Sequence, residues 1–455
     1  MPVLTPPGEQ AFDTPPAWVF DTFPRGFLTR LPRARMLVPM NEPAPPASSE
    51  PPNLEPPRWR VTLWSMVAVQ FIMSISFSIV GPIMPLYLPE LGVVSPGAVN
   101  MWAGVLASAT SCVAIFTSPL WGGLADRYGR KLMVLRSTLG IAVFTFLMGI
   151  VQGPWQMLGL RAGMGALAGF SSASVVMVAS AVPERQMGYS LGWMSTGQLV
   201  GSLVGPLIGG AIADVTGSYR LPFYFAGVIC FGGFLVTLFC VPERFTRPDA
   251  SKTKPSLISG FRLVIGSGGL MAVIMVMMMG QFATQAVLPV VTLYVREMLG
   301  ARSDIATLGG LAFSATGLAG VLAVPFLGKR SDRIGYRRTL LICLFGAAFF
   351  TLPMALPLGY SAFVVERFGL GLFVGAVLPV SNAMVGRLTD PAQRGMAYGV
   401  ISSAYFIGNT AGPLAGGAIA ATVGISWVFA VTGALIAANF VWVWFKVPEV
   451  GRDGR

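Results

Sequence analysis

Gly122-Gly-Leu-Ala-Asp126-Arg127-Tyr-Gly129-Arg130-Lys131 stands between two long apolar runs, and a degenerate copy, Gly328-Lys-Arg-Ser-Asp332-Arg333-Ile-Gly335, follows 206 residues later. Two more landmarks keep that interval. Arg161-Ala-Gly163-Met-Gly165 with Gly169 returns as Arg367-Phe-Gly369-Leu-Gly371 with Gly375. Gly205-Pro206 with Gly209-Gly210 returns as Gly412-Pro413 with Gly416-Gly417, offset 207. Three landmarks at one spacing point to two halves in parallel repeat, an arrangement that places a binding site between the halves near the bilayer midplane.

The runs between these landmarks are apolar and helix-length. They lie near 62–88, 100–121, 132–151, 155–182, 190–213 and 220–241, then near 267–294, 305–328, 339–357, 360–385, 397–421 and 425–446. Mean hydropathy is +0.69 and charged residues make up 11% of the chain, against about 25% in a soluble protein. No period-2 alternation of the barrel kind appears, so the spans are helices. The expected fold is an all-α membrane protein of twelve transmembrane helices in two six-helix halves, 58–241 and 267–446. A charged linker, 242–266, joins them, and 447–455 forms a short tail.

Residues 1–57 carry 15 of the 35 prolines and read as a structureless Pro-rich tail. No basic segment precedes a short apolar run there, so it does not read as a signal peptide. Initiation at Met36 or Met40 would remove most of it.

Charge fixes the expected orientation. With both termini in the cytoplasm, inner segments collect 22 Lys and Arg and outer ones only Arg220, Arg296 and Arg302. That is the positive-inside pattern of an inner-membrane protein. It also explains the net charge of +12 better than nucleic-acid binding does. The chain has no histidine, which removes His-ligated metals, Ser-His-Asp triads and His relays. Four scattered cysteines form no metal or disulfide pattern. Gly163-Met-Gly165 and Gly266-Ser-Gly268 follow no strand, so no dinucleotide site is expected. Neither an enzyme nor a cofactor nor an obligate protein partner is indicated; the bilayer is the partner this composition implies.

The loop motif has a physical logic of its own. A tight turn between spans calls for glycine at both shoulders, Gly122 and Gly129. One carboxylate, Asp126, among Arg127, Arg130 and Lys131 suits an ion-pair latch; the alternative is a purely topogenic basic loop. These residues resemble the major facilitator superfamily, and more narrowly its drug:proton antiporter branch, over about residues 58–448. The first loop matches the family signature position by position. The second, with Asp332 and Arg333, departs from it at Arg330 and Tyr336. Gly201 to Gly210 resemble the span 5 motif of that branch's exporters. The resemblance implies a secondary transporter that exports drugs or metabolites by alternating access in exchange for protons; a metabolite importer of the same superfamily is the rival. It also implies that Asp126 sits against the start of span 11, near Ala397.

Within the spans, Arg161 and Arg367 are buried guanidiniums, which in a membrane mark a functional site by default. Glu366 is the one carboxylate expected inside the bilayer, either as proton carrier or as an interfacial partner of an arginine. Several antiporters of the branch carry an acid in span 1, where this chain offers only Gln70. Cavity candidates are Gln70, Ser74 and Phe77 in span 1, Met278, Gln281 and Gln285 in span 7, Asn382 in span 10, and Tyr405 and Asn409 in span 11. Met271, Met275 and Met278 form a stripe that suits either packing or an adaptable wall. Gly197, Gly201, Gly205 and Gly209 recur every four residues in span 5, with Pro206, Gly210, Gly412 and Pro413 as related positions. That bare strip is expected either to pack within its own half or, in the preferred reading, to meet the other half and seal the outer end.

Overall fold

The computed structural model describes residues 56–242, 264, 266–390 and 393–449. The tail before residue 56, most of the linker and the last residues lie outside the described residues. What is described is helical, with no strand among the described residues.

The first half comprises α1 (Pro56–Tyr87), α2 (Pro96–Tyr128), α3 (Arg130–Met148), α4 (Pro154–Ala166), α5 (Phe170–Ala181), α6 (Met187–Thr216) and α7 (Leu221–Cys240). The second comprises α8 (Gly268–Val287), α9 (Val291–Leu299), α10 (Ile305–Ile334), α11 (Tyr336–Thr351), α12 (Tyr360–Leu388), α13 (Arg394–Thr422) and α14 (Ile425–Lys446). Local chemistry starts several of these helices. Proline opens α2, α4 and α7, where its missing N–H costs nothing. Ser95 and Ser267 cap α2 and α8 by accepting from the amides of Ala98 and Leu270.

Eleven of the described helical segments are long and apolar enough to cross a membrane. The remaining expected span, 397–421, is α13, which is long enough at 29 residues. It carries Tyr405, Asn409, Thr410 and six glycines, so its apolarity falls below that of the rest. The reason is its position, since it packs against α2 and α8.

Two details differ from the sequence reading. The motif loop is a single residue, not a turn flanked by two glycines: α2 runs on through position 122 to Tyr128, and Gly129 alone turns the chain at φ 97°. Gly335 does the same between α10 and α11 at φ 95°. Secondly, the fourth span is not continuous. It breaks over Leu167–Gly169 into α4 and α5, with Gly169 at φ 117°, whereas its repeat mate α12 is unbroken.

Packing repeats between the halves. α1 lies on α6 as α8 lies on α13, and α4 on α2 as α12 on α10. A Cβ at Gly163 would strike Phe144, and one at Gly369 would strike Phe350, the same positions 206 residues on. The two halves meet along two seams, α2 with α13 and α6 with α10.

Candidate functional site

The seams close one end of the bundle, the end bearing Gly217 and Gly300. There Gly104 lies under the Pro413 carbonyl and Gly310 under the Pro206 carbonyl, each too close to admit a side chain. Gly210 and Gly417 touch the carbonyls of Ala306 and Asn100 in the same way. Polar groups reinforce both seams. The Asn100 side-chain amide donates to the Ala420 carbonyl at 3.1 Å. Across the other seam, Asp214 near the end of α6 accepts from the first amides of α10, Ala306 at 3.2 Å and Thr307 at 2.6 Å. A carboxylate on the N-terminus of a helix satisfies orphan donors and suits the helix dipole. Asp214 is not among the residues that the sequence singles out.

The glycine strip of α6 lies elsewhere. Gly197, Gly201, Gly205 and Gly209 face Val67, Phe71, Ile75 and Ile79, all on α1 of the same half. Gly408, Gly412 and Gly416 face α8 likewise. So the strip packs α6 inside its own half, and the preferred sequence reading of it as the cross-half seal is corrected. A one-residue step on a helix turns the face by 100°, which brings Pro206 and Gly210 to the other half instead. Pro413 occupies the matching place on α13.

Beneath the closed end lies a cavity of about 910 Å³ between the halves. Its walls come from the middle or the Gly129-end portion of each contributing helix, so it is capped at the Gly217 end and lies toward the other. Gln70, Ser74, Phe77, Asn382 and Tyr405 line it. Gln198, Ser171, Ser172, Met277, Tyr398 and Phe406 do so as well. Of these, Gln198 was legible as the most polar side chain of its span. Met278, Gln281, Gln285 and Asn409 do not line the cavity. Gln281 and Gln285 both donate to the Asn409 side-chain oxygen, at 2.8 and 2.5 Å, and so knit α8 to α13. The Met278 carbonyl packs against Gly408.

The first-half wall is built from amides and hydroxyls. Gln70 donates to Gln198 and accepts from Ser174, each at 3.2 Å, and the Ser74 hydroxyl donates to the Gln198 carbonyl at 2.6 Å. The facing wall mixes Tyr398, Tyr405 and Phe406 with aliphatic Leu378 and Ile401, Met277, and the polar Asn382 and Ser402. Among the described residues, no Asp, Glu, Lys or Arg lines the cavity.

The intramembrane charges stand behind the wall. Arg161 reaches a small recess that shares Phe77, Ile141 and Met164 with the cavity, and its buried Nε has no partner. Arg367 is 6% exposed; its Nε donates to the Ala312 carbonyl at 3.3 Å, and Phe313 lies below the guanidinium. Glu366 is half-buried on α12. The ion pairs among the described residues, Arg220–Glu90, Arg302–Asp304 and Arg338–Glu449, involve none of these three.

At the Gly129 end, Arg130 donates to the Val176 carbonyl of α5 at 3.1 Å, and Lys131 donates at 2.9 Å to the Leu238 carbonyl near the C-terminus of α7. Cations are favoured at that end of a helix. Gly122, Asp126 and Arg127 are described only as helical backbone of α2. In the second copy, Asp332 accepts from the Tyr336 hydroxyl at 2.7 Å; Arg333 is exposed.

The Major Facilitator Superfamily model matches residues 66–308 and 298–455. The chain belongs to the major facilitator superfamily. Among curated relatives, the multidrug resistance protein MdtG of Proteus mirabilis is 37% identical over 87% of this chain and 99% of that protein. MdtG of Escherichia coli K12 is 36% identical, over 88% and 98%. The fold is that of solved superfamily transporters. The nucleoside transporter NupG superposes with a TM-score of 0.69 at 13% identity, over 84% of this chain and 99% of that one. A D-xylose–proton symporter gives 0.68 at 16%, over 86% and 98%. As a superfamily member, the chain is a multi-pass transporter of the bacterial inner membrane.

Proposed function

We propose that this transporter exports uncharged amphipathic compounds, drugs among them, by alternating access. The observation that carries the reading is the large cavity with amides and hydroxyls on one wall, a mixed aromatic and aliphatic wall opposite and no formal charge among its described lining residues, capped at one end by cross-half contacts. Such a lining offers hydrogen bonds and dispersion to varied ligands without needing a counter-charge. The names of the relatives support multidrug export.

The positive-inside pattern supports placing the Gly129 end, and both termini, in the cytoplasm. In that orientation the cavity faces inward, and the seams at Asp214 and Asn100 are what outward opening must break. Protons supply the drive. Glu366 and Asp126 are the carboxylates proposed to take them up, since the described lining of the cavity offers none. Arg161, in the recess beside the cavity, is the cation best placed to feel a change of charge there.

A susceptibility panel in an efflux-deficient host, run with and without a protonophore, tests the reading. Protonophore-sensitive resistance to uncharged amphipaths such as chloramphenicol, and none to permanently cationic dyes, is expected. Resistance confined to the cationic dyes would overturn it.

A further inference from the structure

Breaking a helix inside a membrane frees carbonyls from their intrahelical donors, and each must find another partner. The break in the fourth span meets that demand with side chains from two neighbouring helices. Trp121 of α2 donates its indole N–H to the Ala166 carbonyl at 2.7 Å. Arg136 of α3 donates from Nη2 to both Leu167 (3.3 Å) and Ala168 (3.0 Å), and its guanidinium lies 3.3 Å over the Trp121 ring. The second half has Leu327 and Ile342 at the matching positions, and there α12 runs on as one helix.

The break is also where the cavity wall changes. Gly169, Ser171 and Ser172, just beyond it, line the cavity, and both serines are exposed there. Arg136 holds this arrangement at some cost. It is a charge within a span, and its Nε and Nη1 are buried without partners. An apolar residue and an unbroken helix would serve packing alone, as the second half demonstrates.

We propose that Arg136 is a positioning residue for transport: by binding the Leu167 and Ala168 carbonyls it keeps the fourth span open and presents the Gly169–Ser172 segment to the substrate. This rests on the cavity being the substrate site. Arg136 itself contacts no substrate. Removing it lets the span rejoin in the manner of α12 and withdraws the segment from the wall.

The first test needs no substrate. In a cysteine-free chain carrying Ser172→Cys, N-ethylmaleimide labelling in membranes should slow roughly tenfold with Arg136→Ile, the scale of one lost hydrogen bond from a charged group. Arg136→Lys, which keeps a donor, should restore most of the rate. Unchanged labelling in Arg136→Ile overturns the proposal. The second test measures chloramphenicol efflux in proteoliposomes. Arg136→Ile should raise KM by a similar factor while the maximal rate stays within about twofold, with rescue by Lys. A fall in maximal rate alone, or no rescue, makes Arg136 merely structural. Phe77→Ala and Tyr405→Ala separate the two readings: if they shift KM and Arg136→Ile does not, only the positioning role fails; if neither they nor Arg136→Ile shift it, the cavity reading fails as well. Should Arg136→Ile not reach the membrane folded, Trp121→Phe, which keeps the ring but loses the donor to Ala166, takes its place in both measurements with the same expected direction.

Discussion

The fourth and tenth spans are built to one plan and end up with different shapes. Both carry an arginine whose carbonyl accepts from a threonine of the neighbouring helix, Thr110 to Arg161 at 3.1 Å and Thr316 to Arg367 at 3.0 Å. Both place a glycine against that threonine's carbonyl, Gly165 and Gly371. Both have a glycine four residues on, Gly169 and Gly375, yet only Gly169 leaves the helix. The difference lies outside the span. Trp121 and Arg136 supply donors to the freed carbonyls of the first half, and Leu327 and Ile342 supply none in the second. A helix in a membrane breaks where its surroundings can take up the backbone, and a local glycine only permits it.

The shared part of the plan should give the largest effects, and equal ones. A side chain at Gly165 or Gly371 would overlap a neighbouring backbone carbonyl that cannot move independently. Overpacking of this kind costs at least about 1–3 kcal/mol for a methyl, and more for a branched side chain. Gly165→Val and Gly371→Val should therefore both abolish the monodisperse peak of detergent-solubilised protein. If one is tolerated and the other is not, the two spans are not equivalently packed.

The next contrast is between the seams. The α6–α10 seam holds a charged acceptor on two backbone amides, and the α2–α13 seam, among the described residues, a neutral amide on one carbonyl. Hydrogen bonds to charged groups contribute about 1.5–3 kcal/mol against about 1 for neutral ones. Asp214→Ala should accordingly favour the outward-open state more than Asn100→Ala does. A membrane-impermeant maleimide applied to intact cells, with Ser78→Cys as reporter, should label the Asp214→Ala protein faster. Equal rates in the two variants would remove the distinction between the seams.

Gly169 and Gly375 offer the sharpest comparison of like with like. Alanine at Gly169 must adopt a positive φ, at a cost of about 1–2 kcal/mol. Gly375 is helical, where alanine gains up to about 1 kcal/mol of propensity, but its Cβ would lie 3.2 Å from Gly320 Cα and Val324 Cγ2. Thermal unfolding followed by tryptophan fluorescence should show Gly169→Ala clearly destabilised and Gly375→Ala little changed. Equal losses would mean that the break carries no backbone strain.

Much of this architecture is legible in the sequence, because it is written as period and spacing. The paired loops, the 206-residue offset and the apolar runs identify two halves, and several helix pairings and glycine contacts recur between them. Half the cavity list was readable for the same reason: Gln70 and Ser74 share a helical face, and Tyr405 sits on the α13 face that meets the other half. What sequence could not show is which face a symmetric pattern presents. The four-residue glycine strip is compatible with either neighbour, and only the rotation of α6 assigns it to α1. Gln281 and Gln285 share a face just as Gln70 and Ser74 do, but Asn409 claims both. Asp214 and Arg136 escaped notice because their partners are backbone groups far along the chain, and backbone groups leave no mark in a sequence.

The smallest expected effect tests how far the break depends on its third neighbour. The Thr117 hydroxyl donates to the Gly165 carbonyl at 3.1 Å, one turn before the break, where the second half has Ala323. Three facts limit what it contributes. The Gly165 carbonyl also accepts from the Ala168 amide at 3.1 Å, so it would not be orphaned. The same hydroxyl reaches the Val113 carbonyl of its own helix at 3.3 Å, so part of its bonding is intrahelical. Finally, side-chain hydrogen bonds between membrane helices average only about 0.6 kcal/mol. Thr117→Ala should thus lower the unfolding midpoint barely, and leave Ser172→Cys labelling at the wild-type rate. A loss beyond about 1.5 kcal/mol, the scale set above for a charged bond, or slowed labelling would mean that the break is held by all three side chains jointly, and the distinction between Arg136 and its neighbours would have to be withdrawn.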